Sequence, residues 1–245
     1  AVAITFFERD RGQKLTETFE YVLAATGRRP NVDQLAIEQA GLKLNKHGVP
    51  EFNRFTLQCL STQNTPSHIF IAGDANQSVP LLHEATEGKI AGRNAAHLDD
   101  VQVGQRNVPL AIVFTEPQMA IVGESRATLD TRYGGCGCIA EGGVSFADQG
   151  RALVMGEHKG YFELYAEHGS GQFLGAELFG PQVEHIAHLL AWALEQKLTV
   201  SQMLAMPFYH PVLEEGLRSG LRDLQANLQQ GPAITEHCME CGPGD

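Results

Sequence analysis

The chain of 245 residues lacks any apolar run near the roughly 18 to 20 residues that a membrane-spanning helix needs. It also lacks a basic excess. Lys and Arg number 18 against 29 Asp and Glu, a net charge of −11, which argues against nucleic acid as a partner because phosphate binding needs a basic patch. Cysteine is scarce: five, an odd number, point to a reducing compartment, with the cytoplasm expected, rather than to a disulfide scaffold. No Gly-x-Gly-x-x-Gly occurs, so the phosphate-cradling turn of a dinucleotide fold is absent from these residues. There are no internal repeats. What remains is ordinary globular usage, 43% apolar, enough for one to two domains.

The most informative stretch runs from Met206 to Gly216. His210 is followed by Pro211, and Glu215 lies five positions on. Histidine alone takes and gives a proton near neutrality without perturbation. Proline suits a first helical turn, and Leu213, Leu217, Leu221, Leu224 and Leu228 recur at helical spacing. His210 is therefore expected at a helix N-terminus, where the helix dipole favours a neutral ring. Glu215 is positioned to orient that ring, the second half of a base–acid arrangement. A capping histidine beside a solvated acidic turn is the alternative.

Three further stretches carry weaker signals. Ile69 to Gly73 reads as a short buried strand ending at Asp74, and an aspartate at the end of a parallel strand faces the nucleotide crevice of α/β sheets. Pro80, Leu81, Leu82 and His83 open a helix expected to run to about His97, whose free N–H groups suit a polar ligand. Tyr21 to Asn31 reads as an apolar strand that breaks at Gly27 and turns at Arg29-Pro30-Asn31. Ala111 to Gly123 reads as strand, bend and strand around Glu116-Pro117.

In this order and spacing the four stretches resemble the C-terminal half of the flavoprotein disulfide reductases, nearest to the dihydrolipoamide dehydrogenase and mercuric reductase branches. Ala25 to Asn31 is similar to that family's Ala-Thr-Gly-Arg-x-Pro-Asn segment, and Gly73-Asp74 to its flavin motif. Phe114 to Gly123 is similar to its first interface-domain strand. His210 to Glu215 resembles its His-Pro-Thr-x-x-Glu dyad, with Val212 where Thr is usual. The resemblance implies an α+β fold: a dimerisation domain of antiparallel sheet and helices, preceded by part of an α/β FAD/NAD-binding region. It implies boundaries at 1–30 for a remnant of the NAD(P)-binding domain and 31–108 for the end of the FAD-binding domain. An interface domain at 109–230 and a flexible tail at 231–245 follow. The family's two glycine-rich fingerprints and its Cys-x4-Cys are missing. The chain, which starts without methionine, is thus expected to be the second half of a longer enzyme.

The resemblance implies a function for that longer enzyme. It would pass electrons between NAD(P)H, FAD and a dithiol or disulfide, with His210 as the acid/base and Glu215 orienting it. Gly27, Gly73, Asp74, Pro80, Leu81, Leu82 and His83 would lie at the cofactors, though this chain alone is expected to retain none. A homodimer through the interface domain is implied, with a small-molecule or protein-bound dithiol/disulfide substrate. Two alternatives stay open: a cofactor-free dimerisation module, or a metal-binding relative using Cys238 and Cys241. Cys136-Gly-Cys138 offers a weaker soft-metal pair, and Glu184, His185 and His188 do not match the zinc-protease spacing.

Within 109–230, two β-rich runs flank His168 to Gly171, a hairpin signal. Apolar positions from Val183 to Leu194 mark an amphipathic helix over about 182–197. Thr199 and Gln202 form a capping box.

Overall fold

The computed structural model describes residues 1–27, 29–76, 84–133 and 137–229. The first strands, β1 (Val2–Glu8) and β2 (Gln13–Phe19), form a hairpin, with Val2 opposite Phe19. Gly12 closes the turn at φ +63°, a left-handed conformation that costs glycine little. The strand expected beyond residue 20 does not form. Tyr21, Val22 and Leu23 are exposed and pair with no described strand, and extended chain without a partner leaves its backbone groups to solvent.

A second hairpin joins β3 (Gln58–Leu60) to β4 (Pro66–Phe70) above a small core of Val32, Ile37, Leu42 and Cys59. The pairing is antiparallel, which corrects the expectation of a parallel strand leading to Asp74. Residues 61–65 are the whole connection, and so short a loop permits only a hairpin; a parallel neighbour needs a crossover of a dozen or more residues. Ile69, Phe70 and Ile71 are half-buried rather than buried. Helix α1 (Glu84–Ala96) packs on β4.

The rest is a five-stranded antiparallel sheet with the order β5-β6-β9-β8-β7. Its strands are β5 (Leu110–Val113), β6 (Gln118–Gly123), β7 (Ile139–Ser145), β8 (Tyr161–Glu167) and β9 (Phe173–Gly180). Alternation sorts the side chains. Phe162 and Leu164 of β8 and Ala176 and Leu178 of β9 are buried on one face. That face carries α4 (Val183–Glu195), which packs on β6 and β9, and α6 (Glu215–Asn227), which packs on β7 and β8. Ile186, Leu190, Leu221 and Leu224 supply the helical side of the core. The expected helix, hairpin and capping box are all present; Thr199 caps the short α5 (Val200–Leu204) with Gln202 answering.

The opposite face of the sheet has less cover. Helix α2 (Arg126–Tyr133) is tied to one end of it, its first N–H donating to Glu177 at 3.0 Å. Residue 142 shows how closely the helix side is packed. A Cβ added to Gly142 of β7 would stand 2.2 Å from the backbone nitrogen of Leu224 in α6.

Candidate functional site

The Met206–Glu214 segment crosses from α5 to α6 and carries His210. Its Nδ1 lies 2.6 Å from Oε2 of Glu215. The histidine side chain is 75% exposed and the glutamate 38%. With the Nδ1 proton donated to the carboxylate, the tautomer is set and Nε2 presents its lone pair outward. Nε2 has no hydrogen-bond partner among the described residues. The arrangement can accept a proton from an approaching acid, and Glu215 then faces an imidazolium it can stabilise.

His210 does not sit at a helix N-terminus, contrary to expectation. The helix begins at Glu215, after a cis His210–Pro211 bond and a turn. A packing interaction explains the delay. The Val212 carbonyl, which a longer helix would offer to the Gly216 N–H, instead accepts from Nε2 of Gln149 at 2.7 Å. Gly216 donates to Leu213 at 3.0 Å in a tighter turn. The dipole argument for a neutral ring falls with it, since that effect is confined to the first turn. It is Glu215, as the first helical residue, that occupies the position favourable to negative charge.

Gln149 is the site residue that sequence reasoning missed. It is a buried polar side chain, 7% exposed, and its Oε1 also accepts from the Ala152 N–H at 2.6 Å. One amide thus caps α3 (Gly150–Met155) and anchors the segment behind His210. No local pattern marks it beyond a glutamine before a short helix. A cleft of about 390 Å³ adjoins the same segment, with Arg151, His185 and Pro211 on its walls.

The Gly73–Asp74 motif lies in a separate place. Gly73 opens a 3-10 turn, Gly73–Asn76, at φ +70°. Glu87 of α1 holds the turn, its Oε2 accepting from the Gly73 N–H at 2.8 Å and the Asn76 amide at 2.6 Å. Its Oε1 meets Arg106 at 2.7 Å. Glu87 was likewise not singled out in the sequence. Asp74 is exposed, as a carboxylate accepting ligand hydroxyls must be. Gly27 sits in exposed chain at φ +96° and makes no hydrogen bond among the described residues. Pro80, Leu81, Leu82 and His83 lie outside the described residues. No hydrogen bond or ion pair among the described residues joins the Asp74 turn to the His210 segment.

Cysteine and metal readings are narrowed. Cys138 is in a disulfide, and a sulfur so bonded is no thiolate ligand. Cys136, Cys238 and Cys241 lie outside the described residues, among which no group of three metal-ligating side chains assembles. Likewise no described helix is long and apolar enough to cross a membrane.

Known proteins resemble this chain in sequence and in fold. Residues 109–220 match the pyridine nucleotide-disulphide oxidoreductase dimerisation domain. The chain is 32% identical over 215 residues to a dihydrolipoyl dehydrogenase of Bacillus subtilis, covering 87% of this chain and 43% of that protein. A dihydrolipoyl dehydrogenase of Geobacillus stearothermophilus is also 32% identical over 215 residues, covering 86% and 43%. The chain thus spans less than half the length of these curated relatives. Among solved structures, LpdA from Mycobacterium tuberculosis superposes with a TM-score of 0.68 at 22% identity, over 86% of this chain and 44% of that one. The HOCl-induced flavoprotein disulfide reductase RclA from Escherichia coli gives 0.63 at 20%, over 86% and 48%. At those identities the two structures speak for the fold.

Proposed function

We propose that this chain, whose residues 109–220 belong to the pyridine nucleotide-disulphide oxidoreductase dimerisation-domain family, works as the C-terminal half of a dihydrolipoamide dehydrogenase-like enzyme. The observation that carries this reading is the 2.6 Å contact between His210 and Glu215, with the second ring nitrogen turned to solvent. Nε2 takes a proton from a thiol of the dithiol substrate, and Glu215 stabilises the cation. The thiolate can then attack a disulfide supplied by the missing half, and in the reverse direction the imidazolium returns its proton to a leaving thiolate. Bound FAD would accept the electron pair that oxidation of the dithiol releases and pass it to NAD(P). Asp74, exposed on its glycine turn, suits the flavin's sugar-like hydroxyls, and Glu87 keeps that turn in place.

The family match supports a homodimer through residues 109–230, and the cytoplasm is the compartment proposed for it. His210 then serves the partner's disulfide.

The test is His210→Ala in the full-length enzyme. Dithiol oxidation is expected to slow by about 10²- to 10⁴-fold, while reduction of the flavin by the nicotinamide cofactor persists. Glu215→Gln is expected to cost less, since the base remains. Dithiol turnover within about twofold of the parent after His210→Ala would make the histidine structural.

A further inference from the structure

The segment from Gln102 to Val108 runs along α1 before it enters β5, and it is held at both ends. Asn94 of α1, 1% exposed, accepts from the Gln102 N–H at 3.0 Å and donates to the Gln102 carbonyl at 2.8 Å. At the other end the Val108 N–H donates to Oε2 of Glu195 in α4 at 2.9 Å. Between them Gly104 lies so close to α1 that an added Cβ would stand 2.3 Å from Cγ1 of Ile90. These contacts fix the place of the charged side chain that the segment carries, Arg106.

Arg106 faces Glu87. Its Nη2 lies 2.7 Å from Oε1 of the carboxylate, with the arginine side chain 26% exposed and the glutamate 14%. Both Nη2 and Nε are closed off from water and make no hydrogen bond among the described residues. The approach is therefore ionic rather than aligned along an N–H axis. A mostly buried ion pair with unsatisfied donors is a poor source of stability, because desolvation offsets the attraction.

What the pair does is hold one carboxylate in one orientation. The other oxygen of Glu87 accepts from the Gly73 N–H at 2.8 Å and from the side-chain amide of the buried Asn76 at 2.6 Å. Those two bonds clamp both ends of the turn that displays Asp74. No other cation is paired with Glu87 among the described residues. Without that counter-charge, a carboxylate largely out of water gains by rotating toward solvent, and the turn then loses the acceptor of both bonds.

We propose that Arg106 is a positioning residue for the flavin site. Its charge keeps Glu87 facing inward, and Glu87 keeps the Gly73–Asn76 turn in the shape that offers Asp74 to the flavin's sugar-like hydroxyls. The proposal rests on the reading of Asp74 given above. Arg106 makes no hydrogen bond to the turn itself among the described residues and acts through Glu87.

The test is the FAD affinity of the full-length enzyme, measured by titrating its apoprotein with FAD and following flavin fluorescence. Arg106→Met keeps the aliphatic stem and removes the charge; Arg106→Gln removes the charge and stays polar. For each the dissociation constant is expected to rise by about 10- to 100-fold, the loss usual when a residue that only orients a binding group is removed. Arg106→Lys is expected to bind nearly as the parent does, since an ionic contact needs only a point charge. Glu87→Gln is expected to weaken FAD as well. The Arg106→Met/Glu87→Gln double variant is expected to lose no more than the weaker-binding single one, because the two residues act as a unit. Arg106→Met or Arg106→Gln binding FAD as tightly as the parent, an Arg106→Lys as weak as either, or losses that multiply in the double variant would each overturn the inference and leave the flavin reading standing. A full-length parent that binds no FAD, or an Asp74→Ala variant with unchanged affinity, overturns both.

Discussion

The side-chain amide of Gln149 donates to the Val212 carbonyl at 2.7 Å, from a buried position behind the exposed His210. A surface histidine gains a fixed place from this contact, because the chain that carries it is held from the protein side.

Gln149→Leu leaves two groups unpaired, the buried Ala152 N–H and the half-buried Val212 carbonyl. Each costs roughly 1–3 kcal/mol, so a clear fall in the urea midpoint is expected. Gln149→Glu keeps the acceptor for Ala152 but sets a buried carboxylate oxygen against the Val212 carbonyl, so in the full-length enzyme it is expected to loosen the His210 segment and lower dithiol turnover. Equal turnover in parent and Gln149→Glu would show that the segment needs no anchor.

Gly142→Ala tests how closely α6 must approach β7. The new methyl would meet the Leu224 backbone nitrogen at 2.2 Å and its Cα at 2.3 Å. Backbone cannot rotate away as a side chain can, so the helix has to lift. Overpacking of this kind costs typically 1–3 kcal/mol. A lowered melting temperature is expected, and since Glu215 opens the same helix, so is a changed pH profile of dithiol turnover. An unchanged melting temperature would mean the helix seats without that contact.

Cys59 is fully buried, and burial pushes its thiol from an ordinary 9.0 up to about 11. The folded state favours the protonated thiol. Its contribution is therefore complete below the unfolded value and is lost as pH rises through about 11. At pH 8 the thiolate fraction is about one in a thousand. Iodoacetamide at that pH is expected to leave Cys59 unlabelled in the folded chain and to label it in urea, as read by peptide mass mapping. Rapid labelling of the folded chain would contradict the burial.

The chain by itself is expected to release FAD on purification. Pyrophosphate and adenosine contacts come mainly from a glycine-rich first turn that these residues lack. One carboxylate on a turn offers too little to offset the entropy of binding. A yellow preparation yielding stoichiometric FAD on denaturation would refute this.

Much of the interface-domain sheet was legible because its signals are local. The alternation from Tyr161 to Glu167, the apolar spacing from Val183 and the Thr199–Gln202 box each lie within one element and depend on its own period. The His210–Glu215 pair was legible for the same reason, the two residues being five apart. What sequence could not decide was where the helix starts and what the strands pair with. The start of α6 was set by Gln149, 63 positions away, competing for the Val212 carbonyl. The strand read at Tyr21 found no neighbour, and the strand before Asp74 found an antiparallel one. The sequence by itself determined which segments could be helix or strand, which faces were apolar and which residues could carry proton chemistry. The tertiary structure alone decided which carbonyl meets which donor and that Tyr165 stands between Glu163 and Glu177. Those pairings join positions far apart in the chain, and their energies depend on burial that no local period encodes.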